Sequence, residues 1–332
     1  MIIVTGGAGL IGSAVVWELN RRGETDILIV DHLGKSNKWR NLLNLSYAGY
    51  MDKGEFLERV INDTLAHRPR AIVHMGACSS TIEQNADYLM QNNTHYSNIL
   101  CQYADKTGVR MVHASSAATY GDGSQGFSDD ESKLPSLRPL NMYGYSKHLF
   151  DLWTVREKSI NNIATLKFFN VYGPNEDHKN VMRSMVSKAF EEINQTGRIR
   201  LFKSNHPNYP HGGQMRDFIY VKDCAQTICW LLDNPQINGI FNLGTGKARS
   251  WNDLAAAVFA AMNLPVAIDY VDMPENLQGQ YQNYTQAPMD KLLGRGLNMG
   301  HWHSLEAGIK DYVQNYLQSA NPHLGNNKEL GL

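Results

Sequence analysis

Three side chains in the middle of the chain are spaced for moving protons at an alcohol. Tyr143 and Lys147 lie four residues apart in Asn141-Met142-Tyr143-Gly144-Tyr145-Ser146-Lys147, which opens a helical pattern running to about residue 159. At i and i+4 both project from one helix face. Free tyrosine titrates near ~10, and bringing it about 3 units down takes ~4 kcal/mol. An ammonium about 4 Å away, at an effective dielectric near 20, supplies roughly that amount. Ser116, just past an expected strand over 111–114, can hold the reacting oxygen by a hydrogen bond. Tyr145, two positions on, faces elsewhere and is assigned to the core. A Tyr-x-x-x-Lys pair alone arises often in helices that merely pack, so its weight depends on the elements around it.

The element that gives it weight is the N-terminus. A strand at Ile2–Thr5 runs into Gly6-Gly7-Ala8-Gly9-Leu10-Ile11-Gly12, a helix is expected over 13–22 and a strand over 26–30, and Asp31 follows. Such a turn lets backbone N–H groups touch a pyrophosphate at a helix N-terminus, where unpaired amides and the dipole favour an anion. Asp31 stands nineteen residues past Gly12, near the spacing of about 20 for a ribose-binding acid. The turn at Gly6, Gly9, Leu10, Ile11 and Gly12 is therefore expected to hold a dinucleotide. Its oxidised nicotinamide would add a second positive charge beside Tyr143. The expected fold is α/β, a Rossmann-type doubly wound parallel sheet with a smaller C-terminal α/β substrate lobe.

His32, Lys35 and Lys38 follow Asp31. A lone acid suits NAD, whereas basic residues beside it can neutralise a 2′-phosphate; NADP is expected over NAD, one per subunit, with Lys38 as phosphate partner. The other reading of these residues is a solvated basic loop. A buried-type strand at Ala71–His74 leads into Met75-Gly76-Ala77-Cys78-Ser79-Ser80-Thr81, placed to line the cofactor because ligands sit at the C-terminal edges of such sheets. Asn92 and Asn93, in a helix expected over 86–105, carry amides that need partners, and a ligand is one candidate.

Composition sets bounds. The 332 residues, 42% hydrophobic, can bury a sizeable core, and a net charge of −1 with interspersed signs argues against nucleic-acid or membrane partners. No apolar run approaches 18 residues and the N-terminus enters a strand without a basic region, so a cytoplasmic protein is expected. Cys78, Cys101, Cys224 and Cys229 lack paired spacing and read as free, mostly buried thiols. No metal site is expected. The expected division is 1–174, rejoined by about 217–243, as cofactor domain; 175–216 and 244–318 as substrate lobe; and 319–332 as a loose polar tail.

With Arg216-Asp217-Phe218-Ile219-Tyr220-Val221-Lys222-Asp223 and Gly239-Ile240-Phe241-Asn242-Leu243-Gly244-Thr245-Gly246 added, nearly the whole chain resembles the extended short-chain dehydrogenase/reductases that act on nucleotide sugars. Sugar 4,6-dehydratases of that branch carry an acidic pair after the serine, where this chain has Ala117 and Ala118. Tyr172-Gly173-Pro174 followed by His178-Lys179, the stretch 76–81, and Gln280-Tyr281-Gln282-Asn283-Tyr284-Thr285-Gln286 are similar to the ADP-glycero-manno-heptose 6-epimerases. Ile82 and Val181 depart from that pattern, and the segment 205–215 is longer than in it.

The resemblance implies Tyr143, Lys147, Ser116 and Lys179 as catalytic, Lys179 being the second base. It implies cofactor contacts at His32, Lys38, Lys53, Met75, Gly76, Ala77, Cys78, Ser79, Asn92, Tyr143, Lys147 and Val171 besides those above, the Lys147 ammonium reaching the nicotinamide ribose. Substrate contacts are implied at Ser116, Asn170, Val181, Lys188, Phe202, Arg216 and Tyr281, Arg216 holding the nucleotide diphosphate. An ADP-heptose substrate, a role in lipopolysaccharide inner-core supply and a homo-oligomer, a pentamer, are implied likewise. Another UDP- or GDP-sugar epimerase or reductase, or a non-catalytic cofactor-sensing scaffold, stand as alternatives. A scaffold need not keep Ser116, Tyr143 and Lys147 together.

Overall fold

The structure, a computed structural model, describes residues 1–274 and 282–326. Seven parallel strands form the main sheet in the order β3 (Gly49–Asp52), β2 (Ile27–Asp31), β1 (Ile2–Thr5), β4 (Ala71–His74), β5 (Arg110–Ser116), β6 (Ile163–Phe168) and β10 (Gly239–Leu243). All four residues of β1 are buried, as expected of a strand covered on both faces. Alternation splits them: Ile2 and Val4 join one core with Val73, Val112 and Leu166, while Ile3 joins the other with Ile72, Met111 and Phe150. Strand order reverses between β1 and β4, which opens a crevice at the carboxyl ends of the strands there.

The first half supplies α1 (Leu10–Arg21), α2 (Lys53–Ile61), α3 (Ala86–Leu89), α4 (Tyr96–Thr107) and α5 (Met142–Arg156). The second supplies α6 (Met185–Thr196), α7 (Val221–Asp233), α8 (Trp251–Ala261), α9 (Asp290–Leu293) and α10 (Leu305–Tyr312). α7 packs on α1, and α10 on α8. A three-stranded sheet joins β7 (Asn170–Tyr172), β9 (Met215–Tyr220) and β11 (Ala248–Ser250), and β8 (Ile199–Phe202) pairs with β12 (Ile268–Val271). No helix among the described residues is long and apolar enough to cross a membrane.

Several expectations need correction. The helix expected over 86–105 is present but not regular, carrying a π-turn at Met90–His95. Side chains of that turn are engaged elsewhere: Asn93 accepts from Cys78 N at 2.8 Å and donates to Ser146 Oγ at 3.0 Å, and Thr94 Oγ1 donates to the Ser146 carbonyl. Tyr145 is not core; it is 45% exposed, on the solvent side of α5. Residues 319–326 are not loose. Leu324 is fully buried, and Asn44 ties both its carbonyl and Asn321. Residues 327–332 lie outside the described residues. As expected, all four cysteines are free, with Cys101, Cys224 and Cys229 buried.

Candidate active site

A cleft of about 1040 Å³ runs along the carboxyl ends of β1, β2, β4 and β5 and across to α6, β8 and α8. At its cofactor end, the turn after β1 is so tight that a Cβ on Gly12 would sit 2.1 Å from the Gly6 carbonyl oxygen. Gly6 holds φ +65, and a Cβ there would strike Gly76 at 2.7 Å. Only glycine permits this backbone. Gly9 caps α1 without a side chain, so no side chain competes for the first-turn amides of Leu10, Ile11 and Gly12. A cradle of open amides at a helix start fits a pyrophosphate.

Asp31 ends β2 and is only 7% exposed. Its Oδ2 accepts Ala8 N at 2.9 Å, and its Oδ1 accepts His32 N at 2.7 Å and Lys38 Nζ at 2.6 Å. Lys53 reaches across to Asn92 Oδ1; burial, with repulsion from Lys38 adding to it, lowers its pKa. Met75, Gly76, Ala77, Cys78 and Ser79 form the facing wall, with Val171 and His32 also on the cleft. Lys35 is exposed outside it. Asn92 and Asn93 both find partners within the protein.

Ser116 ends β5, and Tyr143 stands in the first turn of α5, where Asn141 caps the helix by accepting Gly144 N at 2.8 Å. Both side chains line the cleft. The protein surroundings do not acidify the tyrosine. Burial raises its pKa, and the neighbouring Ser116 hydroxyl offsets only part of that. Lys147 lies beneath the cleft wall, 2% exposed, and Nζ donates to the Ala114 carbonyl at 2.8 Å. Desolvation pulls it down to about 8 against the opposing pull of Asp151. The expected acidification of Tyr143 by Lys147 is outweighed here by burial of the phenol, while the Lys147 ammonium is spent on the Ala114 carbonyl.

Lys179 reaches the same cleft from a 3-10 turn, Asp177–Met182, kinked at Asn180 with φ 49. Burial lowers its pKa, with Glu176 opposing; no neighbouring cation contributes. Glu176 is wholly buried, accepting Ser184 Oγ at 2.6 Å and Tyr312 OH at 3.0 Å. Burial takes His178 down to about 4, so its imidazole is neutral near pH 7.

Of the expected substrate contacts, Asn170, Lys188 and Phe202 line the cleft. Val181 does not: it is 70% exposed and points to solvent. Arg216 is nearly buried behind the wall, its guanidinium 5.7 Å from the ring of Trp251, which does line the cleft. Tyr281 lies outside the described residues. Two cations on the cleft escaped the sequence reading, Arg183 and Arg200. Arg200 was within reach of it, since β8 alternates and Arg200 shares a face with Phe202. Among the described residues lining the cleft, Asp31 is the only carboxylate, against Lys38, Lys53, Lys179, Arg183, Lys188 and Arg200. Arg183 and Arg200 are ion-paired at 2.6 Å with Glu191 and Glu192, so the lysine excess is what draws polyanionic ligands to the cleft.

A model of the NAD dependent epimerase/dehydratase family matches residues 2–244. The chain belongs to that family. Among epimerase/dehydratase relatives, the ADP-L-glycero-D-manno-heptose-6-epimerase of Nitratidesulfovibrio vulgaris is 56% identical over 324 residues, covering 98% of this chain and 100% of the relative. The crystal structure of the Helicobacter pylori ADP-L-glycero-D-manno-heptose-6-epimerase is similar at a TM-score of 0.80 and 25% identity, covering 95% of each chain. The Thermus thermophilus UDP-glucose 4-epimerase, solved in complex with NAD, shares the fold at a TM-score of 0.72 and 24% identity, covering 93% of this chain and 96% of that one. Within the family, the glycine turn and sheet edge described above are those of a nicotinamide-dinucleotide enzyme.

Proposed function

We propose that the chain interconverts ADP-D-glycero-β-D-manno-heptose and ADP-L-glycero-β-D-manno-heptose at C6″ through a transient 6″-ketone. The observation that carries this reading is the convergence of two proton-transfer groups, Tyr143 and Lys179, from separate parts of the chain on one cation-rich cleft. Identity of 56% to an ADP-L-glycero-D-manno-heptose-6-epimerase supports the substrate. The dinucleotide, when bound, supplies the acceptor and donor of the hydride that leaves C6″ and returns to it.

The chain's own residues do the rest. The amides at Leu10, Ile11 and Gly12 hold the cofactor pyrophosphate, and Lys38 and Lys53 stand at its ribose end. NADP is the proposed form, because Asp31 already shares its oxygens with Lys38 and two backbone amides. A carboxylate so neutralised repels a 2′-phosphate less than a free one. Lys188, beside Arg183 and Arg200, attracts the diphosphate of the sugar nucleotide. Ser116 holds the C6″ oxygen, and Tyr143 or Lys179 takes its proton. After the ketone turns over in the cleft, the other group returns a proton to the oxygen. Two bases are needed because the two faces present that oxygen in two positions. We propose with it, on family resemblance, that the protein supplies heptose to the lipopolysaccharide inner core as a cytoplasmic homo-oligomer.

The test is incubation of the cofactor-loaded enzyme with each ADP-heptose epimer, followed by chromatographic separation. Convergence on one equilibrium mixture from both sides is expected. Inertness toward both, with turnover of a UDP- or GDP-sugar, overturns the substrate assignment.

A further inference from the structure

Between the glycine turn and the loop carrying Lys179 lies a set of buried amides that the proton-transfer scheme leaves unused. Asn175 is 2% exposed and sits in the left-handed region at φ 75. Its Nδ2 donates to Ser13 Oγ at 2.9 Å, and Ser13 Oγ donates to the Gly9 carbonyl at 2.6 Å. Its backbone carbonyl accepts Asn41 Nδ2 at 2.9 Å, and the same Nδ2 donates to the Ala8 carbonyl at 2.9 Å and lies 3.3 Å from His178 Nδ1. Its Oδ1 accepts Leu324 N at 3.1 Å and lies 3.3 Å from His323 Nδ1. Three segments far apart in sequence therefore meet at one carboxamide: the turn that would carry the cofactor pyrophosphate, the loop of the second base, and the C-terminal segment.

The loop is pinned at both ends. Asn175 and Glu176 hold its start, and Ser184, bonded to Glu176 through N at 2.5 Å and Oγ at 2.6 Å, holds its end. Lys179 stands between these anchors. A carboxamide with both its donor and its acceptor atoms engaged has one orientation, and a buried network of this kind moves as a unit.

We infer that Asn175, clamped by residues 321–326, is a positioning residue that ties the placement of Lys179 to the geometry of the glycine turn. The inference rests on the two-base reading above. Asn175→Gly tests it, since glycine keeps the positive φ at little cost and removes only the side chain. Deletion of residues 321–332 tests the clamp, and Ser13→Ala, which removes the amide's acceptor, stands in should Asn175→Gly not fold.

The measurement is single-turnover reduction of bound nicotinamide by each ADP-heptose epimer separately. Lys179→Met identifies the epimer whose oxidation depends on Lys179. Asn175→Gly and the deletion are expected to slow that epimer about tenfold to a hundredfold while leaving the other within about twofold, because misplacement of one group by about an ångström carries costs of that size. Equal slowing of both epimers, or no slowing of either, in variants that retain cofactor overturns the inference. A wild-type enzyme inert toward both epimers overturns the parent reading instead, so the two failures are distinguishable.

Discussion

The Lys38 ammonium lies 2.6 Å from the Asp31 carboxylate, so the acid that suits a ribose hydroxyl is itself ion-paired. Lys38→Ala should weaken NADP roughly tenfold to a hundredfold, the worth of one charged hydrogen bond, and NAD much less. Competitive titrations of the stripped protein with both dinucleotides measure this. Equal loss for the two would mean that Lys38 serves Asp31 alone.

Tyr143→Phe removes the phenol but fills the same space. Epimerisation should fall by ~10²–10⁴, the contribution of one positioned acid–base group, with cofactor still bound. Turnover close to wild type in this variant would remove Tyr143 from the mechanism.

Lys147 gives a pH dependence. Its ammonium is held at about 8 instead of 10.5 by desolvation, so it is charged below that value and neutral above it. Cofactor affinity of the stripped enzyme should fall as pH rises through about 8. Lys147→Met should be weak and lack the step, whereas Lys53→Met, at the other lysine lowered by burial on the cleft's cofactor side, should keep it. The stability sign is set by the same shift. The folded state holds this proton less tightly than the unfolded chain, so the charged Lys147 costs stability below pH 8 and the cost fades between about 8 and 10.5. Lys147→Met should therefore raise the melting temperature most below pH 8.

C6″ is an ordinary carbinol with no adjacent carbonyl, so its hydrogen cannot leave as a proton at a useful rate. Turnover in heavy water should leave no deuterium on that carbon. Lys179→Met should abolish interconversion while one epimer still reduces bound nicotinamide from the Tyr143 side. Deuterium at C6″, or full epimerisation by the variant, contradicts a two-base hydride mechanism.

Asp151 and Lys167 are both wholly buried and paired at 3.0 Å, Ser115 donating to the same Asp151 oxygen and Lys167 to Thr119. Asp151→Ala strands the lysine and should destabilise by about 3–5 kcal/mol, whereas Asp151→Leu with Lys167→Met should be near neutral. Chemical denaturation of the three proteins decides it.

What the amino-acid order determined by itself was local. The glycine spacing from Gly6 to Gly12, the strand that precedes it and the i, i+4 placement of Tyr143 and Lys147 depend only on short-range geometry, and each is found where it was expected. Family resemblance added Lys179, whose sequence surroundings alone would make it a solvated loop residue. Only the tertiary structure decided what covers each element. Tyr145 and Val181 face water, Arg183 and Arg200 enter the cleft, Arg216 packs behind Trp251, and residues 319–326 dock on Asn44 and Asn175. The direction of the Tyr143 shift belongs to the same class. Periodicity says which side of its own helix a residue takes, but solvation and charge depend on neighbours brought from far along the chain, and those set both burial and pKa.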